Sequence, residues 1–391
     1  MTLFKSDACV VDVHTHVYLP EYLELLRHRN TVPFVLPPLK KGEDERLIIL
    51  PGEDKDHSTQ NGRPVGAAYY DVREKIKFMD LHGIDLSVVS LANPWLDFLP
   101  PTQTTLDLAT RMNVEMEEMC LDKAAAGRLY GFGTLPVTSV EGSIKEVERI
   151  AKLPHLRGVI MGTAGCGKGL DDPELIPLFE AIARHQLVIF LHPHYGVSLP
   201  TSANTEVGHS LALALGFPFE TTYAVSRLIL SGIFDRLPDL RLLLAHSGGT
   251  LPFLAGRLDS CVIHDPLVAS RLQHPPSYYL KRLYYDAVIY HETGVKATVD
   301  FADPKNIMFG TDHPFFPPLE NQNGGPERWM SVDSNLAAIT DSGLDKTVVQ
   351  GILGENALKL LNLSPPASFK KKTLDLKDIS LNPTIAPISL R

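Results

Sequence analysis

The sequence predicts an α/β fold in which one domain forms a closed (β/α)8 TIM barrel with a metal site at one end. Eight short apolar runs, rich in β-branched residues, alternate with amphipathic stretches, as is typical of parallel strands buried on both faces. The first run leads into a dense group of histidines. An open doubly wound sheet, the alternative architecture, normally carries a glycine-rich phosphate turn there. Together these patterns favour the closed barrel.

The eight expected strands follow one another along the chain. They are Cys9–Val13, Leu86–Leu91, Leu129–Leu135, Gly158–Met161, Leu187–Leu191, Leu240–Ala245, Leu283–Ile289 and Ile307–Gly310. The amphipathic stretches between them include Leu106–Ala126, Val140–Leu153, Pro173–His185 and Thr222–Phe234. Since such barrels often exceed about 250 residues as one unit, we expect residues 1–364 to form a single domain.

Two regions fall outside this alternation. An insertion of about residues 17–70, rich in proline and charge, follows the first strand. Long loops at this position of a barrel usually form a wall or lid of the active site. The tail, residues 365–391, contains the run Lys370–Lys372 with scattered proline and serine, and we expect it to form a peripheral arm.

Composition excludes several classes of partner. The 391-residue chain has a formal net charge of −9 and no long basic run, so we expect neither a nucleic acid nor an anionic membrane as partner. No apolar stretch reaches the length of a membrane span. The first apolar run leads directly into the histidine motif, which a cleaved signal peptide would remove, so we expect a cytoplasmic protein.

The strongest chemical signal is the motif that contains Asp12, His14 and His16. Alternate residues of a strand project from the same face, so two imidazoles at this spacing can reach one metal ion. Neutral imidazole nitrogens suit Zn²⁺. Asp12 is expected beside the metal ligands or at the edge of the site.

Three further strands end in a histidine or an aspartate, namely His192, His246 and Asp312. The carboxyl ends of barrel strands converge on one mouth, where catalytic groups of this fold lie. His14, His16, His192 and Asp312 supply three imidazoles and a carboxylate, which predicts a Zn²⁺ site with Mn²⁺ as the alternative. The fourth strand lacks a terminal lysine to bridge two metals, which favours a single ion. His246 is left as an acid–base candidate.

These motifs resemble the amidohydrolase superfamily, in the branch that contains aminocarboxymuconate semialdehyde decarboxylase and γ-resorcylate decarboxylase. Within that branch the chain is most similar to fungal uracil-5-carboxylate (iso-orotate) decarboxylases. The matching stretches are DVHTH at 12–16, SLANPWLDF at 90–98, FLHPH at 190–194, GFPFETT at 216–222, AHSGGTLPFLAGR at 245–257 and MFGTDHPFFPP at 308–318. The resemblance extends from residue 9 to about residue 360.

The resemblance implies substrate contacts that the residues alone do not establish. These are Arg63, Asn93, Phe217, Phe315 and Arg257, the last of which matches an arginine that some relatives lend to the neighbouring subunit. It also implies a homodimer. The residue types suit these roles, because a guanidinium binds a carboxylate through paired hydrogen bonds and two phenyl rings can enclose a planar ring.

The predicted function is a zinc-dependent, non-oxidative decarboxylase of a planar ring carboxylic acid, with uracil-5-carboxylate as first choice. A hydroxybenzoate or aminocarboxymuconate semialdehyde is the alternative substrate. Asp312 is expected to deliver the proton, with His246 holding the substrate or assisting Asp312, and the division between them stays open. Two other classes remain: a metal-dependent hydrolase of a lactone or cyclic amide, and a binding protein that has lost activity.

Overall fold

The structure is a computed structural model that describes residues 8–55, 61–194, 196–197, 210–318, 328–367 and 369. Its strands are β1 (Val11–Val17), β2 (Phe34–Leu36), β3 (Glu45–Ile48), β4 (Arg63–Val65), β5 (Leu86–Leu91), β6 (Leu129–Thr134), β7 (Leu156–Gly162), β8 (Val188–His192), β9 (Arg241–Leu244), β10 (Tyr284–Asp286) and β11 (Ile307–Met308). Eight of them form one parallel sheet in the order β1-β5-β6-β7-β8-β9-β10-β11. The predicted barrel is therefore confirmed, and each expected strand overlaps an observed one.

The first and last barrel strands meet at a junction that we call the seam, formed by residues 13–16 and 309–313. Four backbone hydrogen bonds cross it: Val13 N donates to Phe309 O (3.0 Å), Thr311 N and Asp312 N donate to His14 O (3.2 and 2.7 Å), and His16 N donates to His313 O (2.7 Å). A π-helical turn, Gly351–Glu355, supports the seam from outside, because Phe309 N donates to Ile352 O (2.7 Å). The sheet is thereby nearly closed on itself.

Helices cover the outside of the barrel and pack their apolar faces against it. They are α1 (Pro20–Arg27), α2 (Val72–His82), α3 (Gln103–Leu121), α4 (Val140–Ile150), α5 (Ile176–Arg184), α6 (Phe217–Leu230), α7 (Ile233–Arg236), α8 (Leu251–Ile263), α9 (Pro266–Ala269), α10 (Pro276–Leu280), α11 (Glu292–Phe301), α12 (Met330–Thr340), α13 (Lys346–Gln350) and α14 (Asn356–Leu360). Side-chain caps begin several of them: Asp71, Thr102 and Ser139 accept backbone N–H groups of α2, α3 and α4.

The predicted insertion contains helix α1 and a small antiparallel sheet in the order β2-β3-β4. This sheet was not expected from the sequence, since its strands are only three or four residues long. Tyr18, at the end of β1, ties the insertion to the barrel because its backbone N–H donates to Tyr69 O (2.9 Å). The insertion thus stands at the mouth where β1 ends.

The limits of the domain and the role of the tail stay predictions. The run Lys370–Lys372 and the rest of the expected C-terminal arm beyond Phe369 lie outside the described residues. Within the described ranges, no helix combines the length and the apolar character that crossing a membrane requires.

Candidate metal and active site

The structure brings together the four side chains that the sequence predicts as metal ligands. One ligand atom from each of His14, His16, His192 and Asp312 lies within 4.8 Å of the other three, and all four residues are buried. His14 Nε2 is 3.1 Å from His16 Nε2, and each of these nitrogens is 3.4 Å from Asp312 Oδ1. Four donors that face one point in this way form a candidate metal centre.

Barrel geometry explains this convergence. His14 and His16 project from the same face of β1, and His192 is the last residue of β8. Asp312 follows β11 with a left-handed backbone (φ 58°), which Asp tolerates better than most residues. Since all these strands are parallel, their carboxyl ends open on the same mouth, as expected for the fold.

The hydrogen bonds of the imidazoles fit a metal ion. His192 Nδ1 donates to Pro193 O (2.7 Å), His14 Nδ1 donates to Asp286 Oδ2 (2.5 Å), and His16 Nδ1 is 3.1 Å from Ser90 Oγ. Each ring is therefore held through Nδ1 and presents Nε2 to the centre. His192 Nε2 and Asp312 Oδ1 are buried and have no hydrogen-bond partner among the described residues, as expected of ligand atoms that need a cation.

Burial and neighbouring charge set the protonation of the cluster. Burial lowers the pKa of His16 to about 4 and the pKa of His192 well below its usual range, so both imidazoles are neutral and can donate a lone pair. Burial would raise the pKa of Asp312, but the nearby imidazoles, His14 first, hold it well below its usual range. Three of the four ligands therefore already have the deprotonated form that a divalent cation requires. Burial lowers the pKa of His14, but the carboxylates of Asp312 and Asp286 outweigh it and raise this pKa to about 10, so a cation must displace a proton from His14.

His246 lies at the edge of this centre. Its Nε2 atom is 3.8 Å from Asp312 Oδ2, and its ring centroid is 5.2 Å from those of both His14 and His192. Its backbone is left-handed (φ 54°), as is that of Ser247 (φ 52°). The left-handed turn directs the imidazole towards Asp312, where it can take part in proton transfer without being one of the four ligands.

The two predicted phenylalanines flank the centre on different sides. The ring of Phe217, the first residue of α6, is 6.3 Å from the rings of His192 and His246. The ring of Phe315 is 5.4 Å from that of His16 and 6.0 Å from that of Tyr69. Apolar walls thus stand on the His246 side and on the His16 side of the mouth.

The two polar residues that are expected to bind the substrate near this mouth, Asn93 and Arg63, lie in different parts of the site. Asn93 is buried and its amide Nδ2 donates to His194 O (2.8 Å), so it lies between the loops that follow β5 and β8. Arg63, on β4, donates to Glu53 Oε1 (3.3 Å). Burial raises the pKa of Tyr69, the neighbour of Phe315, and the positive charge of Arg63 lowers it, so Arg63 acts electrostatically on the aromatic side of the site.

Arg257 is the one predicted site residue that is not brought to this mouth. It is an exposed residue of α8 and lines a shallow, mostly apolar groove of about 190 Å³ beside Leu254 and Leu258. It has no contact with the four ligands, so a role in catalysis requires the site of a neighbouring subunit.

The family model for amidohydrolases matches residues 11–363, which is most of the chain. This protein belongs to the amidohydrolase family. The amidohydrolase resembles IDCase, an iso-orotate decarboxylase of Metarhizium anisopliae, whose crystal structure matches with a TM-score of 0.83 and 45% identity over 90% of this chain and 97% of that chain.

More distant relatives are also decarboxylases. The 2-amino-3-carboxymuconate-6-semialdehyde decarboxylase of Dictyostelium discoideum is 28% identical over 78% of this chain and 80% of its own length. The 5-carboxyvanillate decarboxylase of Novosphingobium aromaticivorans, solved with manganese, has a TM-score of 0.73 at 21% identity over 93% of this chain and all of that chain. The predicted enzyme class, a metal-dependent decarboxylase, is confirmed for this amidohydrolase.

Three residues of the amidohydrolase site were not predicted. Asp286, the last residue of β10, is buried and binds His14. Lys75 of α2 is buried and its Nζ donates to Thr15 Oγ1 (2.9 Å) and His313 Nδ1 (2.7 Å). The hydroxyl oxygen of Tyr290 is buried and has no hydrogen-bond partner in the described chain; burial, with Asp312 nearby, raises its pKa.

Two of these residues carried a usable signal. Asp286 ends a parallel strand, as His192 does, so the rule that predicts His192 applies to it as well. Lys75 is spaced three, four and seven residues from Phe78, Met79 and His82, which places it on the buried face of an amphipathic helix.

Asp12, which was expected beside the ligands or at the edge of the site, does not face the centre. Its carboxylate accepts from Thr311 Oγ1 (2.7 Å) and Thr311 N (3.1 Å) and so joins β1 to the segment that carries Asp312.

Proposed function

We propose that this amidohydrolase is a zinc-dependent, non-oxidative decarboxylase that converts uracil-5-carboxylate into uracil and CO2. The observation that supports this most strongly is the buried cluster of three imidazoles and one carboxylate in a chain 45% identical to an iso-orotate decarboxylase. Similarity at that level covers 97% of the relative, so it includes the loops around the mouth as well as the barrel.

The metal ligands in the proposal are His14, His16, His192 and Asp312. A divalent cation at this position would supply positive charge that neutralises the substrate carboxylate and orients it out of the ring plane. The donor set suits both zinc and manganese. Elemental analysis of the purified protein distinguishes the two, and a protein that contains neither metal would contradict the proposal.

The residues of the chain then hold and protonate the ring. Phe217 and Phe315 enclose the planar ring, Asn93 binds a ring amide edge, and the Arg63 guanidinium binds a carboxylate or ring oxygen. A planar pyrimidine can stack between two phenyl rings because its polar groups lie at the edge of the ring and its two faces are less polar. The polar edge is then directed towards the side chains that can donate or accept hydrogen bonds.

In the proposed reaction, Asp312, which rests as a carboxylate, takes up a proton from solvent through His246 and delivers it to the ring carbon that bears the substrate carboxylate. The bond between this carbon and the carboxylate then breaks, its electron pair restores the ring conjugation, and CO2 leaves. Asp312 returns to the carboxylate form that its low pKa favours. His246, with Nε2 3.8 Å from Asp312 Oδ2, holds a substrate oxygen or returns a proton to Asp312 after a small side-chain rotation.

A substrate panel tests this function. The purified enzyme is incubated with uracil-5-carboxylate, with salicylate and γ-resorcylate, and with a lactone and a cyclic amide, while ultraviolet absorbance and released CO2 are followed. We expect CO2 from uracil-5-carboxylate at the highest kcat/KM. A higher kcat/KM for a hydroxybenzoate would move the assignment to that substrate, and ring opening without CO2 would make the protein a hydrolase.

Arg63 is expected to contribute to substrate binding. Its replacement by alanine removes a charged hydrogen bond worth about 2 kcal/mol, so KM for uracil-5-carboxylate should rise roughly 30-fold while kcat changes little. Arg46 is a matched control, because it lies on the adjacent strand β3 and donates to the backbone carbonyls of Pro37 and Asn61. An Arg63→Ala enzyme with the same KM as Arg46→Ala would remove Arg63 from the site.

We also propose a homodimer that forms through helices α6 and α8. Large apolar side chains are exposed on both: Phe253 is 88% exposed, and Phe219, Tyr223 and Ile263 are also exposed. Large exposed apolar side chains on neighbouring helices are typical of an interface, and Arg257 lines the groove between α6 and α8.

The oligomeric state can be measured by light scattering. We expect the wild-type protein at about twice its chain mass of 43.1 kDa and Phe253→Asp at the chain mass. Leu121→Asp, at an exposed leucine of α3, serves as the control and should keep the wild-type mass. A wild-type protein of 43.1 kDa would contradict the dimer, as would a Phe253→Asp variant of unchanged mass.

A further inference from the structure

We propose that Asp286 is a positioning residue that fixes both the tautomer of His14 and the backbone of His246, so that one carboxylate prepares the metal ligand and the acid–base residue together. The inference rests on the metal site of the proposed function but not on the proposed substrate. It assigns a role in the site to β10, the strand between those that carry His246 and Asp312.

The carboxylate of Asp286 is fully buried and its described contacts are all with N–H groups. Oδ2 accepts from His14 Nδ1 (2.5 Å) and from the backbone N–H of His246 (3.1 Å). Oδ1 accepts from the backbone N–H of Ser247 (2.8 Å) and of Val288 (3.0 Å). A carboxylate is the only neutral-pH side chain that offers two acceptor oxygens without a donor, so aspartate matches this environment.

The first consequence concerns His14. Since Asp286 accepts a hydrogen bond from His14 Nδ1, the proton of the neutral imidazole is held on Nδ1 and the lone pair remains on Nε2. That Nε2 atom lies among the ligand atoms, 3.4 Å from Asp312 Oδ1. The tautomer that Asp286 selects is therefore the one that can bind a metal.

The second consequence concerns the turn that carries His246. His246 and Ser247 both have left-handed backbones, a conformation that is unfavourable for a non-glycine residue. Asp286 accepts both of their N–H groups, and its own carbonyl accepts from Ser247 Oγ (2.9 Å). These three bonds hold the turn in the conformation that directs His246 towards Asp312.

The other groups that orient the imidazoles are local. His192 is held by the carbonyl of Pro193, its neighbour in the chain, and His16 lies beside Ser90 of the adjacent strand. Each of these groups contacts one ring of the site, whereas Asp286 contacts a ligand imidazole and the backbone of a second site residue. Losing Asp286 should therefore affect metal binding and the His246 turn together.

The substitution Asp286→Asn distinguishes a role in orienting His14 from a role in packing alone. It keeps the side-chain volume but replaces one acceptor oxygen with an NH2 group. Two fixed backbone N–H groups, of Ser247 and Val288, require the remaining oxygen, so the NH2 group takes the Oδ2 position. There it faces His14 Nδ1 and loses the hydrogen bond from the backbone N–H of His246. His14 then accepts at Nδ1 and carries its proton on Nε2, which is the tautomer that cannot bind a metal. Alanine removes the acceptor without imposing a tautomer.

The experiment compares Asp286→Asn and Asp286→Ala by titrating the apoproteins with Zn²⁺ and by measuring thermal unfolding. We expect Asn to keep the higher Tm because it fills the site, yet to bind Zn²⁺ about 10- to 100-fold more weakly than the wild type and more weakly than Ala. A packing role alone would give the same order in both measurements, with Asn the better of the two. That result would overturn the inference, as would wild-type Zn²⁺ affinity in Asp286→Asn.

Asp333→Asn is the matched control, because the partly buried Asp333 has Oδ1 3.2 Å from Nδ1 of the buried His82, in an aspartate–histidine pair outside the metal centre. We expect it to lower Tm and to leave the Zn²⁺ affinity within about twofold of the wild type. A loss in this control equal to that of Asp286→Asn would assign the effect to general destabilisation and overturn the inference. Absence of Zn²⁺ binding by the wild type would contradict the metal site itself.

Discussion

Replacing His192 with alanine is expected to abolish stoichiometric metal binding and to reduce decarboxylation at least about a thousandfold. His192 Nε2 is buried without a hydrogen-bond partner in the described chain, and it lies among the ligand atoms of His14, His16 and Asp312. Its loss leaves two imidazoles and one carboxylate. A cation that neutralises charge in the reaction contributes several kcal/mol, and about 4 kcal/mol corresponds to a factor of a thousand in rate.

The measurement is metal content after dialysis, by elemental analysis, together with the rate of CO2 release. His194→Ala is the matched control: His194 is two residues away and equally buried, but its ring packs on Trp95 (4.8 Å between centroids) and it is not among the ligand atoms. We expect this control to keep its metal. Full metal content in His192→Ala would show that the ligand assignment is wrong.

The second large effect is on stability. Gly354→Ala is expected to lower the free energy of unfolding by about 4 kcal/mol, because a Cβ atom at this position would lie 1.7 Å from the carbonyl oxygen of Cys9. The Cβ position is fixed by the backbone of residue 354 and the Cys9 oxygen is itself a backbone atom, so no side-chain rotation can relieve the clash. Gly354 lies in the π-helical turn that supports the seam, and the clash would push this turn away from the start of β1.

Thermal and denaturant unfolding measure this cost. Gly351→Ala, in the same turn, is the control, since its Cβ would meet only the side chain of Asn356 at 3.1 Å, and we expect a loss of about 1 kcal/mol or less. Equal stabilities of the two variants would mean that the close contact between Gly354 and Cys9 is not required by the native fold.

The sequence predicts the barrel and the ligand cluster because both depend on simple periodicities. Strand alternation places His14 and His16 on one face, and strand ends bring His192 and Asp312 to the same mouth, whatever the intervening loops do. Asp286 was not predicted, because the expected strand ran on to Ile289 and placed this aspartate inside the strand, whereas β10 ends at Asp286. Its role depends on His14 and on the turn of His246 and Ser247, whose left-handed backbone no local pattern indicates.

The substrate residues depend on loops, and loops depend on tertiary contacts. Arg63 is placed by a sheet of three short strands that the composition of the insertion does not reveal. Arg257 is on a helix surface away from the mouth, so its role depends on a second chain. The roles of Arg63 and Arg257 are therefore implied by the family resemblance alone. The Arg63→Ala kinetics and the measurement of the oligomeric state test them.

The seam has a consequence for how the enzyme matures. Thr15 and His313, which pair across it, are 298 positions apart in the chain. A nascent chain that has left the ribosome only as far as β10 already contains three of the imidazoles, but it lacks the carboxylate that completes the set. Holding its two ends together is costly in entropy until the last strand has been synthesised. We therefore expect all four ligands to hold an ion only after β11 has joined the sheet, when the ion would link the first barrel strand to the last one.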